Sequence, residues 1–265
     1  MFLKVLKMEW KRAFHPFHVL LGVILITASM LGSSNWHTIE YVIEIGGTEQ
    51  IGSIEILSET FYFSMFACVM VVILSSLYSG SFCRDSNSHY LRMILARTDV
   101  TTYTQCRFIA NTGVIVISSI LAMYLFVLIL SPLMPLMPTD GTQNSYYYIH
   151  MIEKYPFLYV GMTGLIFGLV AAAGSSIGLL YSSYDANAFV SIALSSLSFY
   201  LAVTYIPYES LFSVLNIVTM NNTVGNDLPR ILVFLWTLVY MFSIIGICGL
   251  LFYRRMKWRV ENGYL

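Results

Sequence analysis

Phe108-Ile-Ala-Asn-Thr-Gly-Val-Ile-Val-Ile-Ser-Ser-Ile-Leu-Ala-Met-Tyr-Leu-Phe-Val-Leu-Ile-Leu130 contains no Asp, Glu, His, Lys or Arg. A helix needs about 20 such residues to cross the hydrocarbon of a bilayer. Inside lipid every backbone N–H and C=O must be satisfied within the segment, and a helix does this. Five further runs read the same way: Phe17–Ser33, Phe61–Ser81, Leu158–Tyr181, Phe189–Ile206 and Ile231–Tyr253. The first and fifth in chain order lie near the lower limit of about 17 residues. The expected fold is therefore all-α: a polytopic membrane protein with six transmembrane helices in a single domain spanning residues 1–265.

Composition agrees. The chain is 57% hydrophobic and 11% charged, against about 25% charged in soluble domains. A charge at the bilayer centre costs roughly 2.5–3.5 kcal/mol on insertion scales, which accounts for the deficit. Net charge is +0, so no nucleic-acid partner is expected. Cys68 and Cys248 lie in apolar runs and read as small core residues. Cys83 and Cys106 flank a basic loop on the expected reducing side, where disulfides do not persist.

The cations are unevenly placed. Lys4, Lys7, Lys11 and Arg12 open the chain, and Arg254, Arg255, Lys257 and Arg259 close it. Arg84, Arg92, Arg97 and Arg107 crowd into the loop between the second and third runs, which leaves only Lys154 and Arg230 elsewhere. Cationic loops stay on the cytoplasmic side. Both termini and the loop at 82–107 are thus expected inside the cell. The loop near Ser34–Thr60 holds Glu40, Glu44, Glu49, Glu55 and Glu59 with no cation, and is expected outside. The 207–230 segment, with the apolar stretch Tyr208–Met220, is expected to form an outer loop carrying a re-entrant or interfacial helix.

Residues 1–14 form an amphipathic stretch. Phe2, Leu6, Trp10 and Phe14 recur every fourth position, with Lys4, Lys7 and Lys11 on another face. This suits a helix lying in the interface before Pro16 turns the chain into the membrane, rather than a signal peptide. Trp10 and Trp36 would mark opposite bilayer faces. In the fourth run Gly161, Gly164, Gly168, Ala171, Ser175 and Gly178 recur at three- and four-residue spacings. Small residues let helix backbones approach closely in lipid, so this stripe is expected to pack on a neighbouring helix.

Catalytic chemistry is not expected. No G-x-x-x-x-G-K-[ST] loop is present, so the chain should not hydrolyse ATP itself. Gly174-Ser175-Ser176-Ile177-Gly178 fits G-x-S-x-G in letters, but that motif needs a strand–turn–helix elbow and a base, and the later membrane runs hold no histidine. The pairs His37/Glu40 and His150/Glu153 have helical metal-ligand spacing, yet two ligands each read better as solvated polar faces, so no metal is expected. Asn221-Asn222-Thr223 is a sequon in an outward loop. The runs carry hydroxyls and thiols but no acid or histidine near mid-membrane, so an autonomous ion-driven pump is disfavoured.

The basic loop carries a resemblance. Asp85 stands shortly after the second run, Arg92-Met93-Ile94-Leu95 reads as a short amphipathic helix, and Arg107 leads into the third run. This layout resembles the segment between the second and third membrane helices of type-2 ATP-binding cassette (ABC) transporter permeases. His89, Thr98 and Thr101 depart from the Gly, Pro and Arg usual in that family. The resemblance extends to the whole chain, with its N-terminal interfacial helix and six spans.

It implies a bacterial plasma-membrane permease subunit that carries no cofactor of its own and pairs with a second permease copy or a related permease. ATP and Mg would sit on separate ATPase subunits docked at Arg84, Asp85, Leu91, Arg92, Met93, Ile94, Leu95 and Arg97 and at the N-terminal helix. The apolar side of the short helix (Leu91, Ile94, Leu95) would enter a groove on that partner. Alternatively, these arginines would anchor the loop to membrane lipid. The second and fifth helices would line the pathway through Phe61, Phe63, Ser64, Met65, Cys68, Met70 and Ser75, with Ser191, Ser195, Ser198 and Phe199. Aromatics, methionines and hydroxyls suit an amphipathic cargo such as an antimicrobial peptide, a lipid-like molecule or a drug. Chains of this length and span number resemble those of peptide-export and self-immunity systems. The rival classes are a stand-alone secondary transporter or channel and, behind it, an intramembrane enzyme.

Overall fold

The computed structural model describes residues 2–34, 40, 52–61, 64–88, 90–136, 154–207, 210, 212–214, 217 and 230–263. Among them are ten helices and no strand. They are α1 (Phe2–Ala13), α2 (Pro16–Ser33), α3 (Ser53–Thr60), α4 (Ser64–Ser76), α5 (Ser81–Asn87), α6 (Tyr90–Leu95), α7 (Val100–Leu130), α8 (Pro156–Ser182), α9 (Ala188–Tyr205) and α10 (Arg230–Glu261). Six stretches are long and apolar enough to cross a membrane: Pro16–Ser33, Ala67–Asn87, Val100–Leu130, Pro156–Ser182, Ala188–Tyr205 and Leu232–Glu261. The chain is an all-helical, multi-pass membrane protein.

Local chemistry sets the corners. Pro16 occupies the first turn of α2, and His15 before it is extended at φ −68°, ψ 118°. Proline pushes its predecessor out of the helical region, so α1 and α2 cannot fuse. Pro156 likewise opens α8. At the start of α9 the Asn187 side-chain oxygen accepts from the Phe189 and Val190 N–H groups, which caps two otherwise orphaned donors. Lys11 and Arg12 close α1 beside its negative end.

α8 is the central helix. In its most apolar window 72% of the residues are buried, against 28% for α2, 17% for α9 and 28% for α10. It packs on α7, α9, α10 and α4. The outer helices instead expose large apolar side chains, among them Leu20 of α2, Tyr200 of α9 and Leu250 of α10, as a lipid-facing surface requires.

The small-residue stripe explains the centrality, though it serves two neighbours rather than one. A Cβ at Gly164 would lie 2.8 Å from Ile120 Cα, and one at Gly168 2.8 Å from Val116 Cα, both on α7. A Cβ at Gly161 would meet the Tyr124 hydroxyl at 2.7 Å. Ala171 is fully buried, and Ser175 Oγ lies 3.1 Å from Asn111 Nδ2 and 3.2 Å from Asn111 Oδ1 of α7. Gly178 turns to α9, where a Cβ would sit 2.2 Å from the Ser191 carbonyl oxygen. Interhelical hydrogen bonds in membranes average about 0.6 kcal/mol and reach about 2. Ser175→Ala is expected to cost about 1 kcal/mol, because Asn111 is left buried without its partner. Thermal unfolding in detergent reads this directly; an unchanged midpoint would show that the pair contributes nothing.

Two boundaries differ from expectation. The third span starts at Val100, not Phe108, so Arg107 lies inside α7. At about 1.5 Å per residue the helix is about 46 Å long, so it overhangs the roughly 30 Å of hydrocarbon. α5 carries the second span on to Asn87, which leaves only residues 88–99, with α6 among them, between the two spans. The expected first outer loop contains α3, whose Ile54, Ile56 and Leu57 are in the core. Its first two N–H groups donate to the Pro135 and Leu136 carbonyls just beyond the C-terminal end of α7. Most of 207–230, the sequon, His37, His89, and the His150/Glu153 pair lie outside the described residues.

Candidate functional site

The three basic clusters meet at one end of the bundle. Arg12 of α1 reaches Asp85 of α5, and so does Arg107 of α7. Asn87 Nδ2 donates to the Ala186 carbonyl in the α8–α9 turn at 3.2 Å. Arg259 of α10 donates to the Ser183 carbonyl of the same turn at 3.3 Å. Phe252 packs on Phe82 and Phe108, with ring centroids 5.2 and 5.5 Å apart. Sequence positions some 250 residues apart thus share one rim.

At the centre of that end is a buried charged cluster. Glu9 and Arg107 are both 0% exposed and Asp85 is 3% exposed. Arg107 Nη1 donates to Asp85 Oδ2 at 3.0 Å and to the Tyr103 hydroxyl at 2.6 Å, and lies 3.6 Å from Glu9 Oε2. Its Nη2 donates to Ser81 Oγ at 2.5 Å. Arg12 Nη2 donates to Asp85 Oδ1 at 2.5 Å and its Nη1 to Glu9 Oε1 at 3.2 Å. The Tyr78 hydroxyl donates to Glu9 Oε2. The rings of Tyr78, Phe82 and Tyr103 surround the Arg107 guanidinium at 5.3–5.5 Å, within cation–π range.

Two carboxylates and two guanidiniums balance, so the cluster is neutral as a whole. Each charge faces an opposite one, which is the condition for burying it at tolerable cost. Burial by itself would lower the Arg12 pKa, but the hydrogen bond to Asp85 and the charges of Asp85 and Glu9 outweigh it and hold the pKa above the usual value. Arg12 therefore stays charged throughout the physiological range.

The cluster ties three elements together: α1, the end of the second span, and the start of α7. It also explains how α1 sits. Val5, Glu9 and Ala13 are its buried residues, a stripe about 80° round the helix from the expected Phe2–Leu6–Trp10–Phe14 face. Trp10 lies against Gly113 but remains 37% exposed. The inward stripe is selected by the salt bridge to Glu9, which periodicity of apolar residues does not reveal.

The expected coupling residues fall into two groups. Asp85 belongs to the buried cluster, while Leu91 and Ile94 are in the hydrophobic core and Leu95 packs against it. The apolar side of α6 is thus turned into the chain, not outward. Arg84, Arg92, Met93 and Arg97 are exposed. Tyr90 is also exposed, and its ring carries the Arg12 guanidinium at 5.7 Å. The outward face of this elbow is accordingly Tyr90, Arg92, Met93 and Arg97.

The described pathway candidates are placed on the faces of α4 and α9 and in the core between them and α8. Phe61 is buried and packs on Phe167 of α8 with centroids 5.3 Å apart. Met70 is buried, Cys68 half-buried, and Ser75 donates to its own helix at Val72. Ser191 and Ser195 form the face of α9 that approaches Gly174 and Gly178. Ser195 and Ser198 donate to the carbonyls of Ser191 and Ser195, and Phe199 is buried. Ser64 and Met65 lie in the first turn of α4, and Phe63 is outside the described residues. Ser176, in the G-x-S-x-G letters, donates to Ala172 within α8.

Sequence reasoning missed Glu9, Tyr78 and Tyr103. One signal was present: Glu9 is the lone acid in the cationic first fourteen residues. No family model matches the chain, and neither does any curated protein or solved structure.

Proposed function

We propose that this chain is the membrane-spanning permease subunit of an ABC exporter, driven by a separate ATPase. The observation that carries this reading is the Glu9–Arg12–Asp85–Arg107 cluster, buried apart from the partly exposed Arg12, at the rim where all three basic regions meet. The positive-inside rule assigns that rim to the cytoplasm, with both termini. A partner pushing on α5 and α6 would act on a neutral, charge-balanced joint that moves α1 and α7 as one piece. Such a joint transmits displacement because packed cores shift as units rather than deform continuously.

The docking surface in this reading is the outward face of the elbow: Tyr90, Arg92, Met93 and Arg97, with Arg84 beside it. Met93 and Tyr90 provide apolar contact, and the arginines steer and register. ATP and Mg would be bound by the partner. The exposed flank of α9 provides an apolar surface for a second permease copy. Cargo would be an amphipathic peptide, lipid-like molecule or drug moved outward across a bacterial plasma membrane.

Purification in mild detergent from source membranes is expected to bring down an ABC-type ATPase with the chain. Met93→Asp combined with Arg97→Glu should reduce that recovery at least tenfold while the chain still inserts, because neither side chain enters the core. Reconstituted protein that moves cargo along an ion gradient with no ATPase present would refute the proposal.

A further inference from the structure

Beside the charged cluster, at the corner between α1 and α2, a recess of about 550 Å³ opens between the α4–α5 turn and the first turn of α9. Its walls are of two kinds. Arg12, Arg84, His15 and His18 line one part, Leu77 and Ile192 another, and among the described residues no carboxylate lines it. Arg12 is committed to Asp85 and Glu9. Arg84 makes no hydrogen bond or ion pair through its side chain among the described residues. His15 and His18 bring their Nδ1 atoms within 3.2 Å of each other and are both exposed.

An apolar track leaves the recess along one face of α2. Phe17, whose ring lies 5.9 Å from that of His18, begins it. Leu20, Leu21, Ile24 and Leu25 continue it at helical spacing, each more than 40% exposed. Cations at the membrane boundary above a strip of exposed alkyl side chains match one ligand shape: a phosphodiester with hydrocarbon tails attached.

We propose that this recess is a binding site for one anionic phospholipid of the leaflet at the basic rim. Its phosphate would lie between Arg84 and the His15–His18 pair, and its acyl chains along α2. Basic pockets between membrane helices take up lipid head groups in this way. The recess also abuts Arg12 and Tyr78, so bound lipid would buttress the joint formed by the charged cluster. The inference rests on the six-span architecture and not on the transport reading, and its test contains neither ATPase nor cargo.

Full-length protein in detergent is titrated with dioleoyl phosphatidylglycerol, bound lipid is counted by native mass spectrometry, and the thermal midpoint is followed in parallel. The wild-type chain should retain one phosphatidylglycerol in preference to dioleoyl phosphatidylcholine and gain thermal stability from it. Arg84→Gln with His18→Gln should weaken that binding about tenfold, since surface cations contribute on this scale. Arg92→Gln with Arg97→Gln, which removes equal or greater charge from the elbow, should change it less than about twofold. Ile192→Trp, which fills the recess without altering charge, should weaken it as well. Equal losses in both charge variants would mean diffuse attraction to a basic surface and would overturn the proposal. So would unchanged affinity after Ile192→Trp, or equal stabilisation by glycerol 3-phosphate, which would point to a soluble phosphate instead.

Discussion

Arg107→Leu is expected to destabilise the folded chain by about 3–5 kcal/mol, the cost of removing one partner from a buried ion pair. The guanidinium is wholly buried and, among the described residues, is the only group that reaches Asp85, Glu9, Tyr103 and Ser81 together. Without it, one of two buried carboxylates loses its counter-charge, since Arg12 alone cannot neutralise both. Leucine also leaves the cavity between Tyr78, Phe82 and Tyr103 part empty. Arg107→Lys should recover only part of the loss, because a single ammonium cannot reproduce the fork that serves Asp85 and Ser81. The double variant Asp85→Leu/Arg107→Leu should be less damaged than Arg107→Leu alone, as it removes the pair rather than stranding one charge. Thermal midpoints of purified protein in one detergent decide the matter. A single variant as stable as wild type would mean that the cluster is not a joint, and the coupling role assigned to it would fall with it.

The second large effect is steric. Gly178→Val should separate α8 from α9, because even the first carbon of the new side chain would lie 2.2 Å from the Ser191 carbonyl oxygen and 2.4 Å from Ser195 Oγ. The nearest obstacle is backbone, so relief requires moving a helix. Overpacking typically costs about 1–3 kcal/mol; here the expected value is at the upper end or above it, since Gly174 on the same face also touches α9, with Ser195 O 3.0 Å from its would-be Cβ. Gly246 of α10 is the internal control. Nothing lies within 4 Å of a Cβ built there, and Gly246→Ala should be neutral or slightly stabilising by its better helix propensity. Should both substitutions lower the thermal midpoint alike, the close approach of α8 and α9 would not be what the glycine serves.

The six spans were legible because each run meets the bilayer requirement on its own: length and absence of charge suffice, whatever the neighbours do. The glycine stripe of α8 was legible as a packing surface for the same local reason. Which helix each glycine meets was not. Gly164 and Gly168 face α7 and Gly178 faces α9, and that division depends on where two other helices lie. The short helix Tyr90–Leu95 was legible as amphipathic, but its apolar side could equally have faced a partner or the chain's own core. Leu91 and Ile94 took the core.

Most of all, the charges changed meaning on folding. Read along the chain, Glu9 interrupts a basic helix and Arg107 ends a loop. In three dimensions both are fully buried and face each other across 98 positions of sequence. By itself the sequence determined an all-helical membrane chain with cations at its ends and in one inner loop, because hydrophobic length and charge count act residue by residue. Only the tertiary structure decided that four of its charges, three of them buried, form one neutral joint. A charge is affordable in a low dielectric only beside its opposite, and which opposite comes within reach is a property of the packed helices, not of any single one.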